Sequence, residues 1–221
     1  MLITKNKAIT AILIIALLLI VFYFSYSYIN PSKPLPIYNP SNFNPELVDK
    51  SLQNKSEYHK VSDFSLINQN GETITQETYK DKIYVADFFF ASCTTICPIM
   101  TANMAEIQKE FLNDNDIMLL SLSVTPDRDT PSVLRDYANL KGVIDSKWNI
   151  TTGNKKHIYD LARKSYFAVV EKGDGGLQDF IHTPNFILID KEKQIRGIYD
   201  GTNSDDIKRI IADIKNLESS Y

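Results

Sequence analysis

The chain alternates between apolar runs of strand length and stretches in which apolar residues recur every three or four positions. The runs 83–90 and 117–124 are continuous enough to predict strands that are buried on both faces of a sheet. Between them, apolar positions from Ile99 to Phe111 share one side of a predicted helix over 98–113, with Pro98 in its first turn. This order predicts a strand–helix–strand unit in the middle of the chain.

The flanking patterns add a hairpin and further helices. Asn70-Gly71 lies between alternating segments of 63–75 and predicts a hairpin turn. Thr130 and Pro131 are typical of a helix start. Helical patterns also cover 154–164 and 204–217, and strand patterns cover 185–190 and 194–199. The order predicts an α/β, thioredoxin-like fold, in which a central mixed sheet is flanked by helices on both faces.

An uncharged apolar run covers residues 8–28 and is long enough to span a bilayer core. Lys5 and Lys7 precede it, so we expect a cytoplasmic N-terminus and a single-pass anchor in the inner (cytoplasmic) membrane, with the remaining domain extracytoplasmic or periplasmic. A cleaved signal peptide is the alternative. No cysteine follows the run before Cys93, which excludes lipoprotein anchoring.

Three segments are expected. Residues 1–29 form a cytoplasmic stub and transmembrane anchor, 30–56 a proline-rich tether, and 57–221 the thioredoxin-like domain. The formal net charge is −3 and Lys and Arg are not clustered, so nucleic acid is not expected as a partner.

The chain has two cysteines, Cys93 and Cys97, placed between the first central strand and the helix that follows it. Open α/β sheets place their sites at this strand end, and a helix N-terminus stabilises thiolates, so we expect both sulfurs to be partly ionised. Soft thiolates select Cu(I), Zn or iron–sulfur centres, and two sulfurs alone satisfy Cu(I) but leave a zinc site incomplete. Thiol–disulfide exchange is the alternative, although that chemistry usually uses a C-x-x-C spacing. A structural disulfide over so short a ring would stabilise the fold little.

Other residues could join the cysteines. His182 precedes a strand that should neighbour the cysteine strand, so it is either a third ligand or an ordinary surface histidine. For His59 and His157 the ordinary interpretation is preferred. Met100 and Met104 are soft donors, but they share the apolar helix face and are interpreted as core. Three charged residues after the second strand are interpreted as structural rather than as ligands: Asp127, Arg128 and Asp129.

Taken together, the motifs resemble the Sco/SenC family over about residues 58–217. They are Phe90-Ala-Ser-Cys93-x-x-x-Cys97-Pro98, Ser123-Val-x-Pro-x-Arg128-Asp129-Thr130-Pro131, Trp148 before Thr152-Gly153, and His182 ahead of a strand that ends in Ile189-Asp190. The chain differs from many members in Thr94 and Thr95 between the cysteines and in Phe180 and Ile181 before the histidine.

The resemblance implies a membrane-anchored copper chaperone, rather than an enzyme, that supports assembly of the CuA centre of cytochrome c oxidase. Its partners would be the CuA-bearing subunit and a copper donor or thiol–disulfide partner. Cys93, Cys97 and His182 match the family's copper ligands, with the imidazole added for Cu(II). Pro184 resembles the cis-proline segment of thioredoxin-like reductases, which keeps redox-active Cys93 and Cys97 open as the alternative. A peroxidase role ranks last, because the motif holds no basic residue near the thiols.

Overall fold

The computed structural model describes residues 2–29, 34–39, 59–169, 176 and 178–221. The chain divides into two compact units, Met1–Pro34 and Leu35–Tyr221. The first unit contains helix α1 (Leu2–Ile29). Within the described ranges, no helix has both the length and the apolar character that a membrane crossing requires. The transmembrane anchor stays a prediction of the sequence, and most of the predicted tether, 30–56, lies outside the described residues.

The second unit is built on one seven-stranded sheet. Its spatial order is β2-β1-β5-β4-β3-β6-β7, with β3, β4 and β5 parallel and the outer strands antiparallel to their neighbours. The strands are β1 (Ser65–Asn68), β2 (Thr73–Thr75), β3 (Ile83–Phe89), β4 (Ile117–Ser123), β5 (Trp148–Thr152), β6 (Asn185–Ile189) and β7 (Ile195–Asp200). The mixed sheet of the predicted fold is therefore confirmed.

Helices cover both faces of this sheet. They are α2 (Cys97–Glu110), α3 (Pro131–Lys141), α4 (Lys155–Asp160), which continues as a π-helical turn (Leu161–Ser165), and α5 (Ser204–Glu218). One apolar core joins α2, α3 and α5 to one face of β3, and a second joins α4 and the π-helical turn to the other face. Because β3 contributes to both cores, all seven of its residues are buried.

The local predictions hold at several points. The hairpin pairs Ser65 with Thr75, and Gly71 adopts a φ of 76°, a conformation that glycine accepts without strain. The Thr130 side chain caps α3 by accepting a hydrogen bond from the Val133 amide. The helix predicted over 154–164 is shorter, because regular α-helix gives way to the π-helical turn after Asp160.

Strand β5 is absent from the sequence-based prediction, although it lies beside β4 in the centre of the sheet. Its sequence, Trp-Asn-Ile-Thr-Thr, looks too polar for a buried strand. The polar side chains are satisfied inside: Asn149 donates to the Tyr79 hydroxyl at 3.0 Å and Thr151 donates to the Ser121 carbonyl at 2.9 Å. These hydrogen bonds allow a polar strand to be buried.

The segment just before residue 40 runs along β7 at the sheet edge. The Tyr38 amide donates to the Ile195 carbonyl at 2.9 Å, and the Arg196 guanidinium donates to the carbonyls of Leu35 and Pro36. Arg196 also pairs with the fully buried carboxylate of Asp190 at 2.8 Å. These contacts cover the open edge of the sheet, which would otherwise offer unpaired backbone groups.

Candidate metal centre

The two cysteines lie at the carboxyl end of β3, as the sequence predicts. The loop that carries Cys93 leaves β3 after Phe89 and enters α2 at Cys97. It is fastened by the Cys93 amide, which donates to the Phe90 carbonyl at 3.2 Å, and by the Ala91 amide, which donates to the Asp129 carboxylate at 3.1 Å. The thiols are therefore held on a short, braced loop.

Both thiols are reduced and mostly shielded from solvent, with Cys93 9% and Cys97 2% exposed. The Cys97 amide at the start of α2 donates to the Cys93 sulfur at 3.4 Å, and the Thr95 hydroxyl lies 3.5 Å from the same sulfur. The Cys97 side chain packs into the apolar core beneath α2. The helix N-terminus is therefore directed at the Cys93 sulfur.

This asymmetry corrects the expectation that both sulfurs are partly ionised. Burial raises the pKa of Cys93, but hydrogen bonds from Thr95 and Cys97 outweigh it and lower the pKa to about 6. Burial raises the pKa of Cys97 to about 12, and the neighbouring Cys93 sulfur adds to the rise. One thiolate and one thiol is the state this geometry favours, because the thiolate of Cys93 can accept a hydrogen bond from Cys97.

His182 lies on the segment that leads into β6, the strand that pairs with β3, as predicted. Its ring is exposed and stacks on Phe180 at a centroid distance of 6.3 Å. Phe90, at the start of the cysteine loop, lies 6.4 Å from His182 and 5.3 Å from Phe180. The histidine therefore shares an aromatic cluster with the cysteine loop.

Within the residues that the structure describes, no group of three His, Cys, Asp or Glu side chains is assembled as a metal site. The ligand role of Cys93, Cys97 and His182 therefore stays a prediction. The Thr183–Pro184 peptide bond, which the sequence left open, is trans.

Asp129 and the two methionines, which the sequence offered as further donors, have structural roles. The buried Asp129 carboxylate accepts hydrogen bonds from the hydroxyls of Ser123 at 2.5 Å and Thr125 at 3.0 Å, besides the amide of Ala91. It therefore ties the cysteine loop to the end of β4. Met100 and Met104 are fully buried in the core, which confirms their interpretation as packing residues.

Asp87 is a buried acid near the thiols and is not among the residues predicted from the sequence. It lies in the middle of β3, is 2% exposed and accepts a hydrogen bond from the Ser121 hydroxyl, which in turn accepts one from the Trp148 indole at 2.9 Å. Burial raises the pKa of Asp87 to about 7, although the Ser121 hydrogen bond opposes the rise. Its charge also helps to raise the pKa of Cys97. The signal was visible, since Asp87 is the one charged residue in an apolar run.

The fold and this pair of thiols define a thioredoxin-like protein with a candidate site at the carboxyl edge of the sheet. The SCO1/SenC family model matches residues 52–219, and the chain belongs to that family. A curated relative, the SCO1 protein homolog of Bacillus subtilis, is 34% identical over 163 residues, which cover 73% of this chain and 84% of the relative.

Solved structures give the same result. A SCO1/SenC family lipoprotein from Bacillus anthracis is 33% identical with a TM-score of 0.64, and the match covers 72% of this chain and 95% of that one. BsSco, described as a member of the Sco family of cytochrome c oxidase assembly proteins with a disulfide switch, is 33% identical with a TM-score of 0.63, over 74% and 95%. Copper-bound ScoI from Bradyrhizobium japonicum, at 22% identity and a TM-score of 0.57 over 72% and 99%, shares the fold.

Proposed function

We propose that this chain is a copper chaperone that binds one copper through Cys93, Cys97 and His182 and supports assembly of the CuA centre of cytochrome c oxidase. The observation that carries the proposal is the pair of reduced thiols at the start of α2, where the Cys97 amide donates a hydrogen bond to the Cys93 sulfur. Family membership supports it, as do the oxidase-assembly role of the family that includes BsSco and the copper bound to a structural neighbour.

The chemistry of the donors fits copper. Two sulfurs side by side are soft ligands, and Cu(I) is satisfied by few of them. The apolar surroundings of Cys97 limit access of water, which favours a thiolate-bound monovalent ion over a hydrated one. The imidazole of His182 is the borderline donor that Cu(II) prefers. His182 precedes β6, which pairs with β3, and its ring lies near Phe90 at the start of the cysteine loop.

Replacing His182 with alanine is therefore expected to weaken Cu(II) binding by about a hundredfold while changing Cu(I) affinity by less than about threefold. Competition titrations of the full chain with chelators of known affinity measure both constants. His157→Ala, which removes a histidine from α4, is the matched control and should leave both unchanged. Equal losses for the two oxidation states would contradict a selective role for His182.

Thiol–disulfide exchange is the second candidate function, and one observation favours it. The Cys93 sulfur accepts the Cys97 amide hydrogen bond and is the more exposed of the two, so Cys93 would attack a partner disulfide and Cys97 would resolve the product. Cys97→Ser is then expected to accumulate a mixed disulfide through Cys93, whereas Cys93→Ser should not. Gel analysis after alkylation of intact cells tests this, and the absence of any adduct in Cys97→Ser counts against exchange.

We further propose that the oxidase subunit bearing CuA is the copper acceptor and that α1 attaches the domain to the extracytoplasmic face of the membrane. The uncharged apolar run over residues 8–28 supports attachment. Release of the full chain from membranes by alkaline carbonate would contradict it.

A further inference from the structure

Three side chains recur every fourth residue along α4 and the π-helical turn after it. They are Lys155, Tyr159 and Arg163, which we call the cationic ladder. The Lys155 ammonium lies 5.0 Å from the centre of the buried Tyr159 ring, and the Arg163 guanidinium carbon lies 5.4 Å from it. Both cations are thus held against one aromatic ring, which fixes their long side chains.

The two cations of the cationic ladder bind the segment just before His182. Arg163 makes two parallel hydrogen bonds to the Asp179 carboxylate, at 2.6 and 2.7 Å, and these side chains are only 12% and 8% exposed. Lys155 donates to the backbone carbonyl of Asp179 at 3.0 Å and to that of Gly176 at 2.8 Å. A shielded, bidentate ion pair with backbone contacts is a strong, orienting attachment.

Tyr159 links this attachment to the cysteine strand. Its hydroxyl lies 3.2 Å from the Asp179 carbonyl and 2.9 Å from the carbonyl of Val124, to which it donates. The Val124 amide donates to the carbonyl of Phe89, the last residue of β3, at 2.8 Å. Two hydrogen bonds and the close approach of the Tyr159 hydroxyl to the Asp179 carbonyl therefore connect the end of the cysteine strand to the residue three places before His182.

The segment is also held on the other side of His182. The Thr183 hydroxyl donates to the Ala168 carbonyl at 2.8 Å, and the Asn185 amide group donates to the same carbonyl at 2.8 Å. Between these two attachments, the His182 ring lies against the rings of Phe90 and Phe180. The attachments at Asp179 and at Thr183 therefore limit the positions that the imidazole can adopt.

We propose that the cationic ladder, acting through Asp179, holds the segment that carries His182 where its imidazole can reach the thiol pair, and so tunes the preference of the site for Cu(II) relative to Cu(I). Lys155, Tyr159, Arg163 and Asp179 are positioning residues, because they act on the ligand and not on the ion. The inference rests on the proposed copper function and names residues outside the three predicted ligands.

The test is Asp179→Asn in the full chain, with Asp160→Asn as the matched control. Asp160 lies at the end of α4 and pairs with Lys156 and Lys164 on an exposed surface. Asp179→Asn is expected to weaken Cu(II) binding about tenfold, as loss of a group that orients a ligand does, and to change Cu(I) binding less than twofold. The nitrogen coupling in the Cu(II) electron paramagnetic resonance spectrum should weaken, and the control should match the native chain in every measurement.

A readout without copper separates this inference from the proposed function. In the copper-free chain, Asp179→Asn should speed amide hydrogen exchange over residues 180–183 and leave exchange in β3 unchanged. Arg163→Lys, which keeps the charge but not the two parallel hydrogen bonds, should give an intermediate effect. If Asp179→Asn loses its far-ultraviolet circular dichroism, Lys155→Met replaces it, with the same expectations.

The outcomes are distinct. Native Cu(II) affinity, native nitrogen coupling and native amide exchange in Asp179→Asn would overturn the positioning role, even when the native chain binds copper. A native chain that binds no copper would overturn the proposed function and with it the tuning of copper preference. Faster exchange over residues 180–183 in that case would show that Asp179 orders this segment for a purpose other than copper binding.

Discussion

Replacing Cys97 with serine is expected to lower the Cu(I) affinity of the chain by more than about a hundredfold, beyond the usual effect of changing a group that only orients a ligand. A hydroxyl is a hard donor and a poor substitute for a thiolate toward Cu(I). Cys97 also supplies the amide that contacts the Cys93 sulfur, and that contact is made by the backbone and survives the substitution. The loss can therefore be assigned to the sulfur itself.

The measurement is Cu(I) competition titration of the full chain under reducing conditions. Met100→Leu is the matched control, because it removes a sulfur from the same helix while conserving apolar volume in the core. It should retain native Cu(I) affinity. Because Cys97 is buried, its replacement can destabilise the fold, so the thermal unfolding of each variant is compared with that of the native chain. Cys93→Ser, on the loop, is the second test of the thiol pair. Retention of native Cu(I) affinity in both cysteine variants would rule out the thiol pair as the site.

Replacing Asp87 with asparagine is expected to make the chain more stable at pH 8 and to change how its stability depends on pH. The ordinary pKa is 3.8, and burial raises the folded-state pKa to about 7. Between these values the folded chain keeps a proton that the unfolded chain has released. The free energy of unfolding therefore falls as pH rises through this window, by up to ~1.4 kcal/mol per pH unit. Above pH 7 the folded chain holds a buried, charged carboxylate, and the full loss of stability is reached.

Urea unfolding of the native chain and of Asp87→Asn at pH 5 and pH 8 measures this difference. The variant should gain stability relative to the native chain on going to pH 8, because asparagine still accepts the Ser121 hydrogen bond without a charge. The charge of Asp87 contributes to the raised pKa of Cys97 and of Tyr137. Both pKa values should therefore fall in the variant. Asp136→Asn, an exposed change on α3, is the control. If the free energies of unfolding of the native chain and the variant differ by the same amount at both pH values, Asp87 does not have a raised pKa in the folded chain.

Much of the fold could be predicted because hydrophobic periodicity reports burial directly. Strands β3 and β4 and helices α2 and α5 lie within a few residues of their predicted bounds. Strand β5 could not be found in this way, because its burial depends on side-chain hydrogen bonds with partners distant in sequence, such as Tyr79 and Ser121. Periodicity carries no information about such partners.

The site shows a similar division. Placement of the cysteines after β3 and of His182 before the neighbouring strand β6 followed from the order of the elements. The ionisation of the thiols did not, because it depends on which sulfur the first amide of α2 faces, and the sequence alone does not fix that direction. The ion pair of Asp179 with Arg163 could not be predicted from the sequence either. The spacing of four residues between Lys155, Tyr159 and Arg163 was the one available signal.

X-ray absorption spectroscopy at the copper edge tests the central claim most directly. The full chain is loaded with one equivalent of copper, and the ligand atoms are counted in each oxidation state. We expect two sulfur ligands at a single copper as Cu(I). As Cu(II) we expect two sulfurs and an added imidazole nitrogen, and we expect His182→Ala to lose that nitrogen. A copper ion surrounded only by nitrogen and oxygen, or the same spectrum after both cysteines are replaced, would contradict the assignment of these three ligands.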